Sequence, residues 1–227
     1  DVRPFFGLRY DPDRVGDLGR VVAPPYDVIT PGEQAELYDR SPYNIVRVDF
    51  SREEEDGRGE PAGGVGGADR YVRAARLFRR WIAEGVLRPD PAPAFYVYRQ
   101  IFTAAGRRMV RTGLMGLVRL VPFGKGPVYP HERTLAAPKE DRLRLMRATR
   151  AHLSPIFGLV DGAGAGMASL LAAAGEQDPA AEVTDPSGVV HGLWVVTDQE
   201  LIRAARTALA PARIFIAAGH HRYETAL

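Results

Sequence analysis

The last fourteen residues, IFIAAGHHRYETAL, place Gly219, His220, His221 and Arg222 side by side. Ile214-Phe215-Ile216 reads as a strand, Ala217-Ala218-Gly219 as a tight turn, and Tyr223-Glu224-Thr225-Ala226-Leu227 as the first turn of a helix. Where a strand enters a helix through a glycine turn, free backbone N–H groups and the helix dipole favour an anion. Arg222 in that first turn can fork onto a phosphate. His220 and His221 can donate hydrogen bonds or carry charge near neutral pH. A capped helix bearing two surface histidines is the competing reading. The GK[ST] of a Walker A loop is missing, so this is not a P-loop.

A second group lies in YPHERTLAAPKEDR, residues 129–142, where His131 and Glu132 precede a helix. A glutamate in a proline-stiffened loop, beside histidine and arginine, suits a general base or a metal ligand. The zinc-protease spacing HExxH fails, because Leu135 stands at the second histidine position, and no metal site is assigned. A surface glutamate is the plain alternative. His152 at a helix end and His191 in a strand read as capping or packing residues.

Composition narrows the classes. The 227 residues suffice for one large domain or two small ones, and a net charge of +2 does not point to nucleic acid. Lys125 and Lys139 are the only lysines, so arginine carries almost all the positive charge. With no cysteine, disulfides and thiolate chemistry are excluded. No run reaches the ~18 apolar residues of a membrane-spanning helix, and the N-terminus lacks a signal-peptide layout. A cytoplasmic protein is expected.

These candidate residues need elements to hold them. TPGEQAELYDR predicts a helix with Thr30 as N-cap, Pro31 at its first position and Glu33 closing a capping box. NIVRVDF alternates like a half-buried strand. Residues 51–67, acidic then glycine-rich, predict a mobile loop. An amphipathic helix follows from about Asp69 to Glu84, burying Tyr71, Ala74, Ala75, Phe78 and Trp81 or Ile82, and Gly85 stops it. After Pro89, Pro91 and Pro93, two strand-like runs joined through Ala104-Ala105-Gly106 predict a hairpin. The helix EDRLRLMRATRAHL, a buried strand SPIFGLV and a short Ala/Gly helix come next. A second hairpin turns across Pro186-Ser187-Gly188, and the helix QELIRAARTAL leads to the terminal strand. The mixture is α+β, or mixed α/β.

Three stretches, VVAPPYDVITPGE…SPYNIVRVDF, YPHERTLAAPKEDRLRLMRATRAHLSPIF and IFIAAGHHRYETAL, resemble in order and spacing the domain of unknown function family 1015. That family is similar to the free-serine kinase of the ParB/sulfiredoxin-like superfamily. The resemblance implies a ParB/sulfiredoxin-like core of β-hairpins and helices over residues 91–227, incomplete at its C-terminus. A smaller N-terminal α/β segment would occupy residues 1–90.

It further implies a nucleotide-dependent kinase that phosphorylates the hydroxyl of free serine or a similar small alcohol, using ATP or ADP with Mg²⁺. Gly219, His220, His221 and Arg222 match the family's phosphate turn. Pro130-His131-Glu132 matches its catalytic motif, making Glu132 the base with His131 beside it. The usual pattern is Ala-Asp-Gly-His-His-Arg, and here Ala218 holds the aspartate position, which implies impaired turnover. Relatives continue past this motif with a lysine- and threonine-containing segment, so a longer protein is expected. The alternative reading is a nucleotide-binding regulatory module without chemistry. Neither membrane nor nucleic acid is an expected partner.

Overall fold

The computed structural model describes residues 1–53, 69–162 and 164–227. Most of the loop expected over 51–67 therefore lies outside the described residues. Short strands β1 (Val2–Arg3) and β2 (Leu8–Tyr10) and one helical turn, α1 (Pro12–Val15), open the chain. After Pro24 and Pro25 comes a 3-10 turn at Tyr26–Val28. Helix α2 (Pro31–Arg40) has the expected capping box: Glu33 N–H donates to Thr30 Oγ1, and Thr30 N–H donates to Glu33 Oε2 at 2.8 Å.

The segment read as the strand NIVRVDF is instead a helical turn, α3 (Val46–Asp49). Asn44, fully buried, makes the difference. Its side-chain oxygen accepts from Val46 N–H at 3.0 Å, while its amide donates to the carbonyls of Arg20 and Val22. That local bond starts a turn, and Val46 and Val48 are buried from it as they would be from a strand.

Helix α4 (Arg70–Ala83) is capped by Asp69 and buries Tyr71, Ala74, Ala75, Phe78 and Trp81, whereas Ile82 is exposed. Trp81 is the centre of a core that joins α3, α4 and the strand β3 (Leu87–Pro89) to Leu145 further along the chain. β4 (Phe95–Ala104) and β5 (Arg107–Met115) form the first hairpin. Ala105 and Gly106 both take positive φ there, matching the twist of the paired strands. Strands β6 (Leu117–Val118) and β7 (Val128–Tyr129) lead to helix α5 (Ala136–Thr149), which begins earlier than its charge pattern suggested.

The run SPIFGLV is a strand, β8 (Phe157–Asp161), but an exposed one, with Phe157, Leu159 and Val160 open to solvent. Its apolar composition reported strand character and misreported burial. Helix α6 (Gly164–Gly175), the hairpin of β9 (Ala181–Thr184) and β10 (Val190–Val196), and helix α7 (Gln199–Leu209) follow the expected order. Strand β11 (Arg213–Ala218) and helix α8 (His220–Ala226) complete it.

Two sheets matter for the site. One is antiparallel in the order β5-β4-β10-β9, with Phe95, Val97, Trp194 and Val196 packed against Leu170 of α6 and Ile202 and Ala205 of α7. Full burial of a side chain such as Phe95 stabilises the fold by roughly 1.5–3 kcal/mol. The other has the order β7-β11-β8, with β11 parallel to β7 and antiparallel to β8. Ile216, Val128 and Tyr223 form a small core beneath it. This second sheet delivers the end of β11 beside the loop that follows β7.

Candidate functional site

β11 ends in a bulge between Ile216 and Ala218. Gly219 then takes φ 97° and ψ 30° as the N-cap of α8. That left-handed backbone turns the chain sharply and aims His220 inward, where it is 1% exposed. Because β7 pairs in parallel with β11, the residues just after β7 fall beside the same turn. The two motifs, far apart in sequence, therefore meet.

Their contacts fix the protonation pattern. His131 Nδ1 lies 2.7 Å from the Ile216 carbonyl, which can only accept, so Nδ1 is the donor of that bond. His131 N–H donates to His220 Nε2 at 3.3 Å, which places the His220 proton on Nδ1. That Nδ1 lies 2.8 Å from Glu132 Oε1, close enough for electrostatic attraction though not aligned as a hydrogen bond. Burial, the largest effect, holds His220 below the ordinary imidazole value, with the Glu132 charge pulling the other way. Glu132 itself stays about half exposed, with 52% of its side-chain surface open.

His221 does a different job. Its Nε2 accepts Leu135 N–H at 3.0 Å, at the start of α5. Leu135 has no capping side chain of its own, so His221 satisfies a backbone donor that would otherwise be open. Further braces tie the same two elements. Thr134 Oγ1 donates to Glu224, Lys139 Nζ lies 3.2 Å from Glu224 Oε2, and Thr225 Oγ1 donates to the Lys139 carbonyl. The hydrogen bond from Thr134 is the main reason that the Glu224 carboxyl is held below its usual range.

Arg222 folds back over the turn. An added Cβ at Gly219 would sit 3.0 Å from the Arg222 guanidinium carbon. One Nη group donates to the Pro155 carbonyl, and the Nε donor is buried without a partner among the described residues. An orphaned arginine donor beside a strand-to-helix turn is chemically suited to a phosphate or carboxylate oxygen.

His131, Glu132 and His220 each bring one donor atom within 4.8 Å of the others. Two imidazoles and a carboxylate suit zinc or another transition ion better than Mg²⁺. The proton on His220 Nδ1, however, occupies the lone pair that a metal would take. Moving it to Nε2 would set two N–H groups facing one another at 3.3 Å. In the tautomers these contacts favour, Glu132 faces the His220 N–H. For Mg²⁺, which prefers oxygen ligands, Glu132 is the only carboxylate in the trio, and Ala218 offers no oxygen from its side chain.

The structure thus brings Glu132 and His131 against His220, beside the Gly219 turn on which Arg222 rests, and turns His221 aside as a helix cap. It adds Tyr26, Pro155, Thr134 and Glu224, which the pattern-based reading did not single out as functional. Tyr26 lay inside the quoted APPYD stretch, but nothing local marked it as a neighbour of Arg222.

These features define a mixed α+β protein in which Glu132, His131 and His220 cluster beside the strand-to-helix turn that bears Arg222. The chain belongs to the DUF1015 family, described as a protein of unknown function, whose model matches residues 2–227. No curated protein and no solved structure matches it. Among the described residues, no helix is long and apolar enough to cross a membrane.

Proposed function

We propose that this chain carries the phosphate site and the general base of a small-molecule kinase. Its substrate would be free serine or a similar small alcohol, and its fold a ParB/sulfiredoxin-like variant. One observation carries the reading: Glu132, half open to solvent, is held 2.8 Å from buried His220 beside the turn that bears Arg222. Phosphoryl transfer asks a protein for little more than a base to orient the hydroxyl and donors to hold the phosphates.

In this reading the α8 N–H groups and the Arg222 guanidinium hold the nucleotide's phosphates. Bound ATP or ADP would supply the phosphoryl group, with Mg²⁺ carried in on its phosphate oxygens. Glu132 accepts the hydroxyl proton as the substrate oxygen forms its bond to phosphorus. The bond from phosphorus to the nucleotide breaks, and Arg222 offsets the charge left on the departing phosphate. His220 Nδ1, 2.8 Å from Glu132 Oε1, draws the carboxylate toward the turn.

The test is phosphoserine formation from serine with ATP or ADP, in the chain and in Ala218→Asp. Phosphoserine that disappears in Glu132→Gln, while nucleotide binding persists, supports the reading. A folded Ala218→Asp chain that binds no nucleotide and makes no product overturns it. Ala218 favours one alternative, a nucleotide-binding regulatory module, for which binding would persist without turnover in every variant.

A further inference from the structure

Arg222 is gripped rather than free, and one side of the grip comes from a segment nearly two hundred residues away. Tyr26 lies in the 3-10 turn that follows Pro24 and Pro25. The Arg222 guanidinium carbon is 5.9 Å from the centroid of the Tyr26 ring. The remaining constraints are the Pro155 carbonyl and the backbone of Gly219. Tyr26 is in turn fixed by Arg142, whose guanidinium carbon lies 3.8 Å from the ring centroid.

Arg142 is not available to a ligand. It is 7% exposed, donates to the Asp49 carbonyl at 2.9 Å and to Asp49 Oδ1 at 3.2 Å, and pairs with Asp141. Ser154 Oγ donates to the other Asp49 oxygen at 2.5 Å. A buried, hydrogen-bonded arginine therefore acts as a fixed platform, Tyr26 stacks on it, and the Arg222 guanidinium lies 5.9 Å from the same ring's centroid. The two prolines before Tyr26 limit the backbone freedom of that turn.

We propose that Tyr26 is a positioning residue for Arg222, so that the N-terminal segment sets the phosphate affinity of the C-terminal turn. This rests on the phosphate reading of that turn. An arginine side chain held in its binding pose loses less freedom when a phosphate arrives. Removing the ring releases Arg222 and raises the dissociation constant by about three- to tenfold. Phenylalanine keeps the ring and should keep the affinity, since among the described residues no hydrogen bond of the Tyr26 hydroxyl contributes to the grip.

The experiment is a calorimetric titration of Mg²⁺ with ADP or ATP into the chain and into Tyr26→Phe, Tyr26→Leu, Arg222→Ala and Arg222→Lys. It includes the pair Tyr26→Leu/Arg222→Lys, with unliganded melting temperatures measured alongside. The expected result is full affinity in Tyr26→Phe and a three- to tenfold loss in Tyr26→Leu. Tyr26→Leu should add nothing once Arg222 is lysine, a coupling that general destabilisation would not produce. If Tyr26→Leu does not fold, Tyr26→Met serves the same comparison. Affinity unchanged in the leucine variant, or an equal loss in both arginine and lysine backgrounds, overturns the positioning role while leaving the phosphate site standing. Binding that survives Arg222→Ala, or absence of binding by the unaltered chain, overturns the phosphate reading itself and this inference with it.

Discussion

Replacing Gly219 by alanine tests the geometry on which the site depends. At φ 97° and ψ 30° an L-residue pays a backbone cost of roughly 1–2 kcal/mol. The new Cβ would also lie 3.0 Å from the Arg222 guanidinium carbon and 3.1 Å from Nε and Nη2. The guanidinium must then retreat by a few tenths of an ångström, loosening its hold on the Pro155 carbonyl. A partly exposed hydrogen bond of this kind contributes about 1 kcal/mol. The expected total is about 2–3 kcal/mol. It is read as a lowered urea midpoint with an unchanged denaturant slope.

Gly106 supplies the control. It has φ +72° and nothing within 4 Å of an added Cβ, so Gly106→Ala carries the backbone cost alone. In an Arg222→Ala background, Gly219→Ala should fall to the cost of Gly106→Ala. If Gly219→Ala is no worse than Gly106→Ala in the unaltered chain, Arg222 does not rest on the turn. The proposed phosphate geometry would then be wrong.

Two further outcomes follow from the same contacts. His221→Ala should cost about 1 kcal/mol by opening the start of α5, and the Leu135 amide should lose hydrogen-exchange protection while the middle of α5 does not; unchanged protection would show that His221 is not the cap. Asp185, at the β9–β10 turn, accepts from Ser187 and Val189 and meets His191 Nε2 at 3.1 Å. Burial opposes its ionised form, but the hydrogen bonds from Ser187, His191 and Val189 outweigh it and hold the carboxyl at about 2. A folded-state value below the unfolded one stabilises above the ordinary carboxylate range. That contribution is lost as pH falls from about 4 towards 2. Solvent screening leaves about 1 kcal/mol. Asp185→Asn should remove that part of the acid slope, and identical slopes in the two proteins would refute the assignment.

Much of the scaffold was legible because its signals are local. The Thr30–Glu33 capping box, the period of α4, the Ala105-Gly106 turn and the strand–glycine–helix ending each depend on a few adjacent residues. Local signals failed where two structures share a short pattern. In α3, alternating valines look like a strand until the buried Asn44 side chain bonds to Val46 N–H. In β8, Phe157, Leu159 and Val160 look like core, yet burial depends on what covers a strand rather than on its own composition.

The site divides along the same line. Residue order supplies the chemical groups: a glutamate and a histidine in a stiff loop, two histidines and an arginine after a glycine. Their roles come from packing. The parallel pairing of β7 with β11 sets Glu132 against His220, turns His221 into the cap of α5, and brings His131 Nδ1 to the Ile216 carbonyl. The packing of Arg142 under Tyr26 brings the N-terminal turn to Arg222. Such contacts join residues far apart in the chain, and no local periodicity encodes them. They exist because the sheets and helices have one arrangement that buries their apolar faces, and the polar groups meet where that packing carries them.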